Sequence, residues 1–177
     1  MKSSNAPELT VSSITAEIQS LPKVDLHRHL EGSLRLDSMV DIVSAYDLDL
    51  PTSRDALKAM VQMGTDDPRN VEVFLAKFQI IRQFFRSEQV IQRLVEEVVE
   101  DAASDGLTLL ELRFTPAALR QSSGLPLGQL LDTVIAVGRS AAAKHHLELG
   151  LIVSINRHEA FDLAEAVVQL EKLEGGY

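Results

Sequence analysis

The chain has 177 residues, 45% of them hydrophobic and 24% charged, the composition of a soluble globular protein large enough to build a substantial core. Its formal net charge of −9 argues against a nucleic-acid binder that works by neutralising phosphates. With no cysteine, disulfide scaffolds, thiol catalysis and cysteine-ligated metal are all excluded.

Met1 to Ser13 is polar and has neither a basic n-region nor an apolar h-region. No later run approaches the apolar length of a membrane span, so a cytoplasmic protein is expected. Thr15 to Ser20 reads as a short lead-in helix stopped by Leu21-Pro22, and Lys23 to Leu30 as the first strand. Leu36, Met39, Val40, Val43 and Tyr46 fall at helical spacing. Pro51 breaks that pattern, Thr52 to Met63 forms a second short helix, and Asn70 opens a longer one that carries Phe74, Leu75 and Phe78. The clearest helix follows, with Val90, Ile91, Leu94, Val95, Val98, Val99 and Ala102 on one stripe and a solvated acidic face of Glu96, Glu97, Glu100 and Asp101 opposite. Gly106 closes it. Leu107 to Phe114 is a second strand ended by Thr115-Pro116, Leu127 to His146 a helix, Leu149 to Asn156 a third strand and Phe161 to Leu173 a last helix.

Strands and helices alternate, and each connection is long enough for a right-handed parallel crossover. The class is α/β, three βα units with extra helices after the first strand. Three units cannot close a barrel. Leu173-Glu174-Gly175-Gly176-Tyr177 reads as a cap and turn leading toward a fourth strand, so residues 1–177 are expected to be one partial domain with 1–20 as its lead-in.

His27-Arg28-His29 ends the first strand. Alternation along a strand puts His27 and His29 on one face, about 7 Å apart along the chain, and two converging neutral imidazoles make half of a zinc site. The C-terminal ends of parallel strands are where α/β barrels keep their chemistry, and Gly32 permits close backbone approach just beyond. By strict alternation Asp25 shares the histidine face, either orienting His27 or making a structural hydrogen bond. Glu111 and Arg113 face together on the second strand, as part of a site or as an internal bridge. His158, past the third strand, is a ligand or a loop-end histidine bonded to backbone, the latter favoured. Phe74 and Phe78, four apart, stack on one side of their helix, and spacing alone favours core packing. His145-His146 complements a helix dipole.

The segment Pro22-Lys23-Val24-Asp25-Leu26-His27-Arg28-His29-Leu30-Glu31-Gly32-Ser33-Leu34 resembles the opening signature of the adenosine/AMP deaminase family. Phe74-Leu75-Ala76-Lys77-Phe78 is similar to that family's F-L-x-K-F helix, and Glu111-Leu112-Arg113-Phe114-Thr115-Pro116 to its E-x-R-x-x-P strand. The resemblance implies the N-terminal part of a zinc-dependent (β/α)8 TIM barrel that hydrolytically deaminates adenine-type purines. It implies that His27 and His29 are zinc ligands and that His29, Glu31, Phe74, Leu75 and Phe78 meet a small-molecule purine nucleoside or base. The family's remaining ligands and its ring-protonating glutamate come from later strands. The 177 residues alone are therefore expected to be inactive without a C-terminal barrel half or another chain. Glu31 stands where adenosine-specific members often carry aspartate, which leaves adenosine, adenine and related nucleosides open. A phosphoesterase with an N-terminal H-x-H would share the first strand but would not need the other two blocks.

Overall fold

The computed structural model describes residues 11–173. The lead-in before residue 11 and the expected cap and turn past Leu173 lie outside the described residues. The elements run α1 (Val11–Ser20), β1 (Lys23–His29), α2 (Leu36–Tyr46), α3 (Arg54–Val61), α4 (Val71–Ile81), α5 (Glu88–Ser104), β2 (Leu107–Phe114), α6 (Pro116–Ser123), α7 (Leu127–His145), β3 (Glu148–Val153) and α8 (Phe161–Leu173), with single 3-10 turns at Glu31–Ser33 and Arg82–Phe84. Among the described residues the sheet has three parallel strands in the order β1-β2-β3. The α/β class holds, as do the extra helices between β1 and β2.

The core follows from the apolar stripes. Leu110, Leu112 and Phe114 alternate onto the covered face of β2 and are fully buried, where α5 packs on β2 and α7 on β3. Ile91, Leu94, Val95 and Val99 of α5 meet Leu130 and Val134 of α7 in one buried cluster. Ser87 opens α5 by accepting the Val90 N–H, and Gly106 reverses the chain into β2 with φ +80°, a conformation glycine adopts without a Cβ clash.

Four expectations need revision. The lead-in helix starts at Val11 rather than Thr15, and β3 ends at Val153 instead of Asn156. Pro116 starts a helix as well as ending the strand, because a missing N–H costs nothing at the first helical position. The acidic face of α5 is ion-paired as well as solvated. Arg35 clamps Asp101 at 2.6 Å and Glu100 at 2.7 Å, Arg93 holds Glu97 and Asp41, and Lys144 holds Glu96. The Arg35 and Arg93 pairs tie the loop after β1, and α2 with it, to α5, and the Lys144 pair ties α7 to α5. No helix among the described residues is long and apolar enough to cross a membrane.

Candidate metal and purine site

The end of β1 is irregular, and that decides what faces what. Asp25 registers with Leu110 and Arg28 with Leu112, three steps on β1 against two on β2. One extra residue in a strand is a bulge and shifts the alternation beyond it. Asp25 and Arg28 therefore fall in register with the covered positions of β2, and they pair, Arg28 Nε to Asp25 Oδ2 at 2.9 Å, with Asp105 3.8 Å from the same guanidinium. Asp25 does not orient the His27 ring. It accepts the His27 backbone N–H at 3.2 Å, so its structural reading holds.

Beyond the bulge His29 registers with Arg113 on the open face. His27 Nε2 and His29 Nε2 stand 3.2 Å apart, with ring centroids at 5.0 Å and planes at 67°. Two imidazole nitrogens, each about 2.0–2.1 Å from one tetrahedral zinc ion, would be roughly 3.3 Å apart. The pair fits that spacing. Burial, followed by the charges of His27, Arg113 and Arg82, lowers the pKa of His29 and favours the neutral ring that a metal ligand requires. Arg113 Nη1 lies 3.5 Å from His27 Nε2. No third His, Cys, Asp or Glu joins a metal-holding group among the described residues. His158 instead lies exposed along the adjoining cavity.

That cavity, about 370 Å³, opens beside His29. Phe74 and Phe78 stack edge to face at 5.2 Å, and Phe78 meets His29 at 6.1 Å. Phe74 is 46% exposed and Leu75 53%. The core-packing reading of this aromatic pair is thereby overturned: α4 presents Phe74, Leu75 and Phe78 to the cavity. Lys77, on the buried side of α4, fixes the helix by donating to Ala59 O at 3.0 Å and pairing with Asp67 at 2.9 Å.

Glu31 is 1% exposed. Its Oε1 accepts the Thr115 backbone N–H at 3.3 Å, while Oε2 is buried with no partner. Burial pushes its carboxyl pKa up against the opposing pull of Arg82 and Arg113. Thr115 is held in turn by Ser154, whose hydroxyl lies 2.9 Å from Thr115 Oγ1 and donates to Phe114 O at 2.8 Å. Gly32 is not forced by space or by φ. A Cβ there would make ordinary contact with Phe78 and His29 at 3.7 and 3.8 Å. Glu111 and Arg113 share the open face without an ion pair between them among the described residues, and Glu111 lies over Gly150, whose Cβ position is 3.3 Å from Glu111 Cγ.

Sequence reasoning missed Arg82, Thr115 and Ser154 as members of this cavity. A signal for Arg82 was present, since Phe74, Phe78 and Arg82 are spaced by four and continue one helical stripe. Ser154 comes from beside the end of β3, and only the sheet brings it to Thr115.

Parallel βα units with a histidine pair at the C-terminal end of the first strand define the opening part of a (β/α)8 barrel. The family model described as adenosine deaminase matches residues 22–174. An adenosine deaminase of Vibrio atlanticus is 34% identical over 138 residues, covering 78% of this chain and 41% of the relative. An amidohydrolase from Burkholderia ambifaria, solved with bound Zn, superposes with a TM-score of 0.78 at 25% identity, over 98% of this chain and 46% of that one. Arabidopsis ADAL complexed with IMP gives 0.70 at 27% identity, over 89% and 47%. The chain belongs to the adenosine deaminase family, and it spans less than half the length of these relatives.

Proposed function

We propose that residues 1–177 form one partial barrel domain that supplies the metal-holding and ring-covering part of a zinc-dependent purine deaminase, with conversion of adenosine to inosine and ammonia as the reaction. The observation that carries this reading is the 3.2 Å pair of Nε2 atoms opening beside the Phe74–Phe78 stack. His27 and His29 would hold the ion, which when bound supplies the Lewis acidity that makes water a nucleophile near neutral pH. Phe74, Leu75 and Phe78 offer apolar surface for the purine ring and keep bulk water from it. Glu31 offers its free Oε2 to a sugar hydroxyl or to the base edge, held in place through Thr115. Because Glu31 is one methylene longer than aspartate, adenine and other adenine nucleosides belong to the same proposal. Zinc-holding groups beyond the histidine pair and the group that protonates the ring would come from a C-terminal barrel half or another chain, and without it the 177 residues are inactive. A cytoplasmic setting is part of the same reading.

Zinc titration of the protein against a chromophoric chelator tests the metal half. One ion per chain at micromolar or tighter affinity is expected, lost in His27→Ala and in His29→Ala with unchanged circular dichroism; stoichiometric binding untouched by both substitutions overturns the ligand assignment. For the reaction, the protein is mixed with the separately expressed C-terminal part of the Vibrio atlanticus relative, and ammonia release from adenosine and adenine is followed. A stable complex that releases none from either overturns the deaminase reading.

A further inference from the structure

Phe74, Lys77, Phe78 and Ile81 stand on α4 at the spacing of a core-facing stripe. Three are apolar, and the fourth brings an ammonium onto the same face. Burying that group is costly unless it is paired. Lys77 is 9% exposed, and its Nζ spends two of three N–H donors, one on Ala59 O at 3.0 Å and one on Asp67 Oδ2 at 2.9 Å. The charge is thereby balanced, and one donor is left for a ligand.

A second cavity, about 340 Å³, lies against this stripe, with Val61 at the end of α3 and Met63 just beyond it on the other side. Val61, Met63, Lys77 and Ile81 border this cavity and not the one beside His29. Phe74 and Phe78 border both, so the two rings form a wall with a cavity on either side. A cavity of about 150 Å³ lined by Leu, Ile and Phe already takes benzene. Met63 is 39% exposed here, a flexible thioether that adapts to what packs on it. An anion gains little from a charge that Asp67 already matches, and a cation meets no carboxylate in the lining. An apolar body with one neutral acceptor satisfies both the walls and the remaining N–H.

We infer that the cavity behind Phe74 and Phe78 binds a small neutral molecule, a six-membered-ring alcohol or ketone, whose oxygen accepts the remaining Lys77 N–H. An occupant touches the back of the rings that face His29, yet this site needs neither zinc nor a purine. The test is a methyl-resolved NMR titration of the protein with benzyl alcohol, toluene, benzoate and benzylammonium. Leu75 borders only the cavity beside His29, whereas Val61, Met63 and Ile81 border only the second one, so their methyl groups report which is filled. Benzyl alcohol should shift the Val61, Met63 and Ile81 methyls saturably, leave Leu75 in place, and bind at least threefold tighter than toluene or either ion. Lys77→Met should erase the preference over toluene. Because the comparison of ligands needs no variant, a misfolded Lys77→Met leaves the test intact. Toluene binding as tightly as the alcohol overturns the Lys77 contact, and benzoate binding tightest overturns the neutral class. Saturable shifts confined to Leu75 place the ligand beside His29 and overturn the site, as does the lack of any saturable shift up to the solubility limit of the alcohol.

Discussion

Thr115 donates its backbone N–H to Glu31 Oε1 at 3.3 Å, joining the turn after β1 to the end of β2 across 84 residues. The carboxyl is the acceptor for a buried main-chain donor, so its loss should cost stability as well as ligand contact. Glu31→Ala leaves the Thr115 N–H without a partner and should destabilise by roughly 1–3 kcal/mol. Glu31→Gln retains a carbonyl oxygen of nearly the same reach and should cost less than half as much. Urea unfolding of the three proteins measures the difference; equal losses in both variants would mean the hydrogen bond does not hold the turn.

Ser154 stands one step behind that contact. Its hydroxyl donates to Phe114 O and lies 2.9 Å from Thr115 Oγ1, so it sets how the Thr115 peptide meets Glu31. Ser154→Ala should cost about 1 kcal/mol. The substitutions Ser154→Ala and Glu31→Ala should also fall short of additive, because both act on the Thr115 peptide. Full additivity in a double-mutant cycle would show that the two contacts are independent.

The parts of this site written in local order were legible in the sequence. His27 and His29 lie two apart at a strand end, and Phe74 and Phe78 four apart on a helix, so periodicity alone groups each pair. The face of Asp25 was not legible. A bulge between Asp25 and Arg28 is a property of how β1 meets β2, and nothing in Leu26-His27 announces the extra residue. The exposure of Phe74 was equally out of reach, because an apolar ring at helical spacing has the same pattern over a cavity as in a core. Lys77 is the tell that only the structure explains: the buried side of α4 carries this ammonium, anchored to Ala59 and Asp67, while the rings face outward.

That anchor yields a pH prediction. Asp67 Oδ2 accepts the Gly64 N–H at 2.8 Å and pairs with Lys77 Nζ at 2.9 Å, and these contacts, the backbone bond first, hold its pKa below the ordinary value. A depressed carboxyl stabilises the fold at pH values above its unfolded pKa, about 3.9 for aspartate, and that stabilisation is lost as pH falls through the folded value. Asp67→Asn should therefore lower the melting temperature by a constant amount between pH 5 and 7, both endpoints set about one unit or more above the unfolded pKa. The gap between variant and parent should close below pH of about 4. A gap that persists undiminished at still lower pH would assign the effect to packing of the 62–70 loop instead of to the charge.

Two leucines separate the roles of core and cavity. Leu94 on α5 is 0% exposed in the cluster with α7, whereas Leu75 on α4 is 53% exposed and borders the cavity. Truncating Leu94 removes buried methyl groups from a close-packed layer and should cost about 2–5 kcal/mol. Truncating Leu75 removes surface that water already reaches and should stay within about 0.5 kcal/mol. Binding should divide the other way. Leu75→Ala takes apolar area from the wall that covers the ring and should weaken inosine severalfold, while Leu94→Ala, measured well below its melting temperature, should leave inosine affinity within about twofold of the parent, since an enclosed layer away from the cavity has no contact with the ligand. Chemical denaturation and calorimetry on the two variants give both readouts. A Leu75→Ala protein that binds inosine as well as the parent would remove α4 from the ligand wall, even with the zinc pair intact.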